Sequence, residues 1–278
     1  MDLFKTTAGA LIASVALCAP VAAQELPADI EKAGEIKIAL FPAFPPLAYR
    51  DTETDELTGL DVKLAEEIAQ DLGVSINWQE VSYDAAVPAL ATGRVDLAFS
   101  MVNRPESQEV LDFVDYIRSG AQLYSKAADA EEFTQMTDLC GKTVGGSRRT
   151  AYPADAEAWS EANCVAAGLP PMEVIGTEGS ADARVQLKQG RIDAVVQSSE
   201  SVPWIMSQEE GEYHLIGEPF ANSFISIAFT KDSTELRDAI MSSLRTLYED
   251  GRYQQILADT GLQVNEIEAI SINGTPVE

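Results

Sequence analysis

Apolar residues return every three to four positions between Leu60 and Leu72, with Leu60, Leu64, Ile68 and Leu72 on one stripe. That period predicts an amphipathic helix, opened after Gly59 and closed at Gly73. Elsewhere the pattern shortens. Ile36 to Phe41 and Val95 to Met101 are brief apolar runs that read as buried strands, and Val74 to Val81 alternates as a strand. With a further helix from Tyr83 to Leu90, the order is β-α-β-α-β, which argues for a parallel sheet covered by helices. Between the first strand and the first long helix, Phe41 to Pro46 is a proline-stiffened aromatic loop.

The pattern then repeats. Leu90 to Leu97 reads LATGRVDL, and Leu187 to Ala194 reads LKQGRIDA. Each copy ends a helix at a glycine, where a left-handed cap carries little steric cost, and opens a buried strand. Around the second copy, Lys142–Gly145, Glu173–Ile175 and Ile192–Gln197 read as strands. Thr150–Cys164, Ser180–Lys188 and Ser199–Met206 read as helices. The expected fold is therefore α/β, with two doubly wound α/β lobes and a cleft between them suited to a small ligand. Ala121–Ser125 going out and Phe224–Thr230 coming back are read as a two-strand hinge. Strand Tyr213–Ile216 belongs to the second lobe, and helices Ser233–Tyr248 and Tyr253–Thr260 return to the first. The division expected is lobe I at 24–120 plus 222–278, and lobe II at 121–221.

Residues 1–23 are excluded from the fold. A short charged start, the apolar run Ala8–Ala19 and the small residues Val21-Ala22-Ala23 form a cleaved secretory signal peptide. Leu17 before Cys18 is not the small residue that a lipoprotein signal requires. No later stretch is long and apolar enough to cross a membrane. Cleavage leaves Cys140 and Cys164, which in an exported chain read as one disulfide, a constraint of about 3 kcal/mol by loop entropy. A metal site is disfavoured, because His214 is the only histidine. No cofactor is expected. Nineteen Lys and Arg against 45 Asp and Glu give a formal net charge of −26, so nucleic acid and anionic lipid are excluded as partners. No phosphate loop is present, since Gly145-Gly146 lacks the following Lys-Ser/Thr.

Several short motifs, in order and spacing, resemble the type II periplasmic solute-binding proteins of ABC transporters, in the polar amino-acid family (family 3 extracellular solute-binding proteins). Phe44-Pro45-Pro46-Leu47 followed by Gly59-Leu60-Asp61-Val62-Lys63-Leu64-Ala65 is similar to the family's opening signature. Leu90–Asp96, Val110–Tyr116, Asp138–Val144 and Leu236–Tyr253 match later ones. The resemblance implies a periplasmic monomer that captures a small polar amino-acid-like, anionic or zwitterionic solute and docks on ABC transporter membrane subunits. It implies a binding protein and no enzyme. The alternative is a periplasmic lyase of the same fold, similar to the cyclohexadienyl dehydratases, whose acid-assisted elimination needs a carboxyl group of raised pKa; Glu200 and Glu106 are the candidates.

The resemblance carries ligand contact to Phe44, Tyr83, Ser100, Asn103, Arg104, Arg149, Thr150 and Ser198. Phe44 and Tyr83 stand where the family stacks aromatics on its ligand. Three family devices depart here. The arginine of the carboxylate-binding turn is replaced by Ser107 or Gln108, with Arg104 nearby. The Gly-Thr step reads Arg149-Thr150, and the ammonium-binding Asp is Ser198, with Glu200 two residues on. Either Glu200 takes the place of that Asp, or the ligand has an anionic group and no obligatory free α-ammonium. Arg148 and Arg149 precede a helix N-terminus, where an anion is favoured. Tyr152 and Trp204 are further aromatic candidates, although Trp204 and Trp159 also suit plain helix packing. His214 reads as a surface residue on a strand.

Overall fold

The structure, a computed structural model, describes residues 26–277. The residues read as a signal peptide, Cys18 among them, lie outside the described residues. In chain order the first lobe is built from β1 (Glu35–Leu40), α1 (Leu60–Leu72), β2 (Ser75–Glu80), α2 (Tyr83–Ala91) and β3 (Leu97–Val102). A long strand, β4 (Leu111–Lys126), leads into β5 (Thr143–Ser147), α3 (Tyr152–Asn163), β6 (Glu173–Thr177), α4 (Ser180–Lys188), β7 (Ala194–Ser198) and α5 (Ser201–Gln208). A second long strand, β8 (Tyr213–Thr230), returns to α6 (Thr234–Asp250) and α7 (Arg252–Thr260).

All eight of these strands join one sheet in the order β2-β1-β3-β8-β4-β7-β5-β6. Each end is a parallel three-strand set with its first strand in the middle, β2-β1-β3 and β6-β5-β7. The two halves thus share one topology, which accounts for the repeated sequence. Gly93 and Gly190 both take left-handed backbone, at φ 66° and 67°. The repeated aspartates do the same work in each copy. The Asp96 carboxylate accepts the Lys37 amide (2.7 Å) while its own amide donates to the Lys37 carbonyl (2.8 Å). Asp193 does this with Thr143, at 2.8 Å and 2.8 Å. Each Asp satisfies the main chain of the central strand where the next strand begins.

The Ala121–Ser125 and Phe224–Thr230 runs are pieces of longer strands, and each lies within one half of the sheet. Ala121–Tyr124 pairs with Ser198–Val195 of β7, and Ile225–Ala228 faces β3. The passage between halves falls between them, at Arg118–Ala121 and Gly217–Phe224, where the β4–β8 pairing breaks register twice. Gly120 belongs there for a steric reason, because a Cβ would sit 2.7 Å from the Phe220 carbonyl oxygen. Ala221, opposite, is held at φ 53°.

Each half buries apolar side chains on both faces of its sheet. Lobe I packs α1, α6 and α7 on one face around Leu60, Leu64, Ile240 and Leu244, and α2 on the other around Ala86 and Leu90. In lobe II the two faces hold Val144 and Ala156, and Leu187 and Val195. Cys140 and Cys164 are bonded, with Cα atoms 5.6 Å apart, and tie the segment before β5 to the end of α3. The proline loop carries a small antiparallel sheet of its own, Ala43–Phe44, Ala48–Arg50 and Leu57–Thr58. His214 is not a free surface residue. It is half-buried, and its Nδ1 and Nε2 approach the Lys126 and Phe133 carbonyl oxygens at 3.1 and 2.9 Å.

Candidate functional site

The carboxyl ends of the parallel strands in both lobes meet the crossing strands, the position where open α/β sheets take ligands. From lobe I come Tyr83 at the start of α2, Ser100 in β3 and the Asn103–Gln108 turn that follows it. From lobe II come the Ser147–Thr150 turn after β5, Tyr152 and Asp155 in the first turn of α3, and Ser198–Glu200 at the end of β7.

Arg104 is exposed on its turn and lies within electrostatic reach of Tyr152 and Asp155 on the other lobe. Burial raises the Asp155 carboxyl above its ordinary value, and the Arg104 charge pulls it back down. Burial also raises the Tyr152 phenol, and the neighbouring Glu200 carboxyl adds to the shift. The Tyr152 phenol therefore lies within electrostatic reach of both Arg104 of lobe I and Glu200 of its own lobe.

Glu200 is fully buried. Its Oε2 accepts the Ser119 hydroxyl at 2.7 Å, and its Oε1 has no hydrogen-bond partner among the described residues. Burial pushes this carboxyl up, while the hydroxyls of Ser119, Ser198 and Ser199 work the other way. An unsatisfied buried acceptor costs about 1–3 kcal/mol, a cost that a proton donor brought to Oε1 would remove. The donor Ser119 sits on β4 at the lobe crossing. Ser198 itself is buried and gives its hydroxyl to Ser201 (2.9 Å).

The remaining sequence candidates divide. Ser100 is buried and its hydroxyl donates to the Asp61 carboxyl, which also accepts the Tyr116 hydroxyl (2.6 Å). Ser100 takes φ 58°, a strained value for a non-glycine residue within a strand. Burial raises Asp61 to about 6, against the lowering effect of those two hydroxyls. Asn103 is committed to its neighbours, donating to Asp115 (2.8 Å) and accepting from Gln108 (2.6 Å). Phe44 packs against the lobe I core, whereas Tyr83 is 47 % exposed and stacks on Phe41 at 5.4 Å. Arg149 and Thr150 are exposed in their turn, where the Thr150 hydroxyl donates to the Ser147 carbonyl (2.9 Å). Arg148 pairs with Glu178 of its own lobe.

Sequence reasoning did not single out Asp155, Ser119 or Tyr49. Asp155 had a readable signal, since it lies three residues beyond Tyr152 on the same helix face. Tyr49, from the small sheet, packs on Trp204 of α5 with ring centroids 4.8 Å apart, a direct contact between lobes. Trp204 therefore does more than pack its own helix. Beside this contact a cavity of about 140 Å³ is lined by Pro46, Thr58, Gly59 and Lys63, with Asp259 and Thr260.

Comparison with known proteins agrees with this fold. The profile of bacterial extracellular solute-binding proteins, family 3, matches residues 36–260. The arginine-binding protein ArgT of Corynebacterium glutamicum is 26% identical over 253 residues, covering 91% of this chain and 82% of its own. The L-cystine-binding protein TcyA of Bacillus subtilis is 28% identical over 237 residues, covering 84% of this chain and 83% of its own. Among solved structures, the P235GK mutant of ArgBP from T. maritima superposes with a TM-score of 0.65 at 26% identity. It covers 84% of this chain and 97% of its own.

Proposed function

The chain belongs to the family 3 bacterial extracellular solute-binding proteins, and from that premise we propose that it captures a small amino-acid-like zwitterion between its lobes and presents it to the membrane subunits of an ABC importer. The observation that carries this is the unpartnered Oε1 of buried Glu200, beside a Tyr152 phenol that also lies within electrostatic reach of Arg104 on the other lobe. A ligand amine at Glu200 would satisfy the orphan oxygen and the buried charge together. The carboxylate end would turn to Arg104 and Arg149, which offer charge-assisted hydrogen bonds. Glu200 thus takes the part left vacant by Ser198, in preference to a ligand without an amine. Tyr83 and Tyr152 flank the solute.

The same reading makes the chain an exported monomer acting in the periplasm after removal of residues 1–23, with no nucleic-acid partner. Among the described residues no helix is long and apolar enough to cross a membrane. Lobe I is 24–120 plus 222–278 and lobe II is 121–221. The lobes close by bending at Arg118–Ala121 and Gly217–Phe224, because a ligand touching both stabilises the closed state selectively.

Native mass spectrometry of freshly purified protein, then calorimetry with L-arginine, L-cystine, L-glutamine, L-glutamate, L-histidine, glycine betaine and simple sulfonates, tests the proposal. Saturable binding of a free amino acid that is lost in Glu200→Gln supports it. Tight binding of betaine or a sulfonate, unchanged in Glu200→Gln, would overturn the assignment of Glu200. The raised Glu200 carboxyl also suits a general acid, so the same incubations are followed for consumption of the added compound. Turnover would favour the lyase reading over the binding one.

A further inference from the structure

Asp115 in β4 is a fully buried carboxyl with four donors aimed at it and, among the described residues, no cation among its hydrogen-bond partners. Its Oδ1 accepts Asn103 Nδ2 (2.8 Å) and the Ser226 hydroxyl (2.6 Å). Its Oδ2 accepts the Ser271 hydroxyl (2.5 Å) and the Gly274 amide (2.8 Å). Three separate parts of the chain meet on this group: the turn after β3, the strand β8 and a C-terminal hairpin formed by Ser271–Ile272 and Thr275–Pro276.

The hairpin is fastened for this purpose along its length. Ser271 and Ile272 pair with Asp115 and Val114. At its tip, Asn273 exchanges two bonds with Phe113, amide to carbonyl and side-chain oxygen from amide, both 2.9 Å. Asn273 Nδ2 donates to Asp112 (3.0 Å), which also binds Lys231 and Arg237. From there the hairpin reaches the turn directly. Gln108 Nε2 donates to the Asn273 carbonyl (3.4 Å) and to Asn103 Oδ1 (2.6 Å). Asn103 thus has its side-chain oxygen held by one residue tied to the hairpin and its nitrogen held by another. Arg104, the next residue, has no ion pair of its own among the described residues, so its placement depends on the turn that carries it.

We propose that the C-terminal hairpin is a positioning element for the Asn103–Gln108 turn, acting through Asp115 and Gln108 to set where Arg104 stands in the cleft. The consequence for affinity rests on the binding reading above; the mechanical claim does not. Asp115, Ser271 and Asn273 are then specificity-supporting residues that never touch the solute. Docking the hairpin limits the freedom of an exposed arginine, which lowers the ordering cost of binding.

The test is amide hydrogen exchange on the full chain, comparing wild type with Ser271→Ala/Asn273→Ala. The amides of Asn103, Ser107, Gln108 and Val110 are bonded within or beside the turn and should exchange at least tenfold faster in the variant. The α4 amides in lobe II should not change; acceleration there too would mean general destabilisation and would overturn the proposal. So would an unchanged turn in a variant whose Val277 amide, bonded across the hairpin to Ile270, exchanges freely. Asp115→Asn, which places an NH2 group against donors, is the second variant and should reproduce the effect without leaving a cavity. In the same variants, affinity for whichever of L-arginine, L-cystine, L-glutamine, L-glutamate or L-histidine binds wild type should fall at least fivefold. Unchanged affinity with a loosened turn would sink the link to Arg104. If no free amino acid of the calorimetric set above binds wild type, the solute reading fails, and the exchange data still decide whether the hairpin holds the turn.

Discussion

Asp61 should make the protein lose stability as pH rises from about 4 to about 6. It is the second residue of α1, fully buried, with only two hydroxyl groups, of Ser100 and Tyr116, to meet its charge. Burial outweighs both and lifts the carboxyl from 3.8 to about 6. That difference corresponds to about 3 kcal/mol between the protonated and charged forms. In the interval the folded chain keeps a proton that the unfolded chain has released, so stability falls with rising pH and levels off above the folded value. Glu200, also raised by burial, acts in the same direction. Carboxyls held low, such as Asp112 beside Lys231 and Arg237, act in the opposite one. A raw pH profile therefore mixes signs, and the informative quantity is the difference between wild type and Asp61→Asn. Asparagine keeps the volume; its oxygen accepts from Tyr116 and its amide donates to Ser100, reversing one bond. Urea unfolding at pH 4, 5, 6 and 7.5, analysed with a common m value, should show the variant gaining about 3 kcal/mol on wild type across the series. A difference that is flat, or that shrinks with pH, would mean that the two hydroxyls fully offset burial and that Asp61 titrates in the ordinary range.

Three further outcomes are expected. Arg104→Ala and Arg149→Ala should each weaken solute binding by roughly thirtyfold, and Ser198→Ala by less than threefold, because its hydroxyl is already given to Ser201; calorimetry on the identified ligand checks this, and equal losses at all three would contradict it. Peptide mapping without reductant should recover Cys140 linked to Cys164, and Cys140→Ser/Cys164→Ser should unfold about 3 kcal/mol more easily; two free thiols on exported protein would refute the pairing. Ligand should shrink the radius of gyration in solution scattering, and Tyr49→Ala should shift Trp204 fluorescence and weaken closure, since it removes an aromatic contact between lobes worth about 1 kcal/mol; an unchanged profile and spectrum would argue for a rigid cleft.

Much of this architecture was legible in the chain itself. The 3.6-residue stripe of α1 and the polar-apolar pattern of α4 define helices whose observed bounds are Leu60–Leu72 and Ser180–Lys188. The repeated Gly-Arg-apolar-Asp step marked two lobes of like topology because its glycine and its aspartate each do a local job, ending a helix and stitching the next strand to its neighbour. The terminal helices read at Ser233–Tyr248 and Tyr253–Thr260 are observed at Thr234–Asp250 and Arg252–Thr260, where their apolar stripes pack with α1.

The chain showed only pieces of the crossing strands, Ala121–Ser125, Tyr213–Ile216 and Phe224–Thr230; tertiary structure decided their full length and the chemistry around them. β4 and β8 run for 16 and 18 residues, but their buried positions include Asp115, Ser119, Gln122, Ser125 and Ser226, so no apolar pattern announces their full length. Those polar groups are tolerated inside because their partners arrive from far along the chain: Glu200 for Ser119, Asn103 and Ser271 for Asp115. Hydrophobic period is a local property, set by which face of an element meets the core, and it can be read one window at a time. Hydrogen-bond satisfaction of a buried group is settled by whichever residues the fold brings beside it. Asp61 and the C-terminal hairpin take their roles from those distant partners, and the spacing along the chain carries no trace of them; Glu200 stood out by its place two residues beyond Ser198, but its burial and its bond to Ser119 needed the fold.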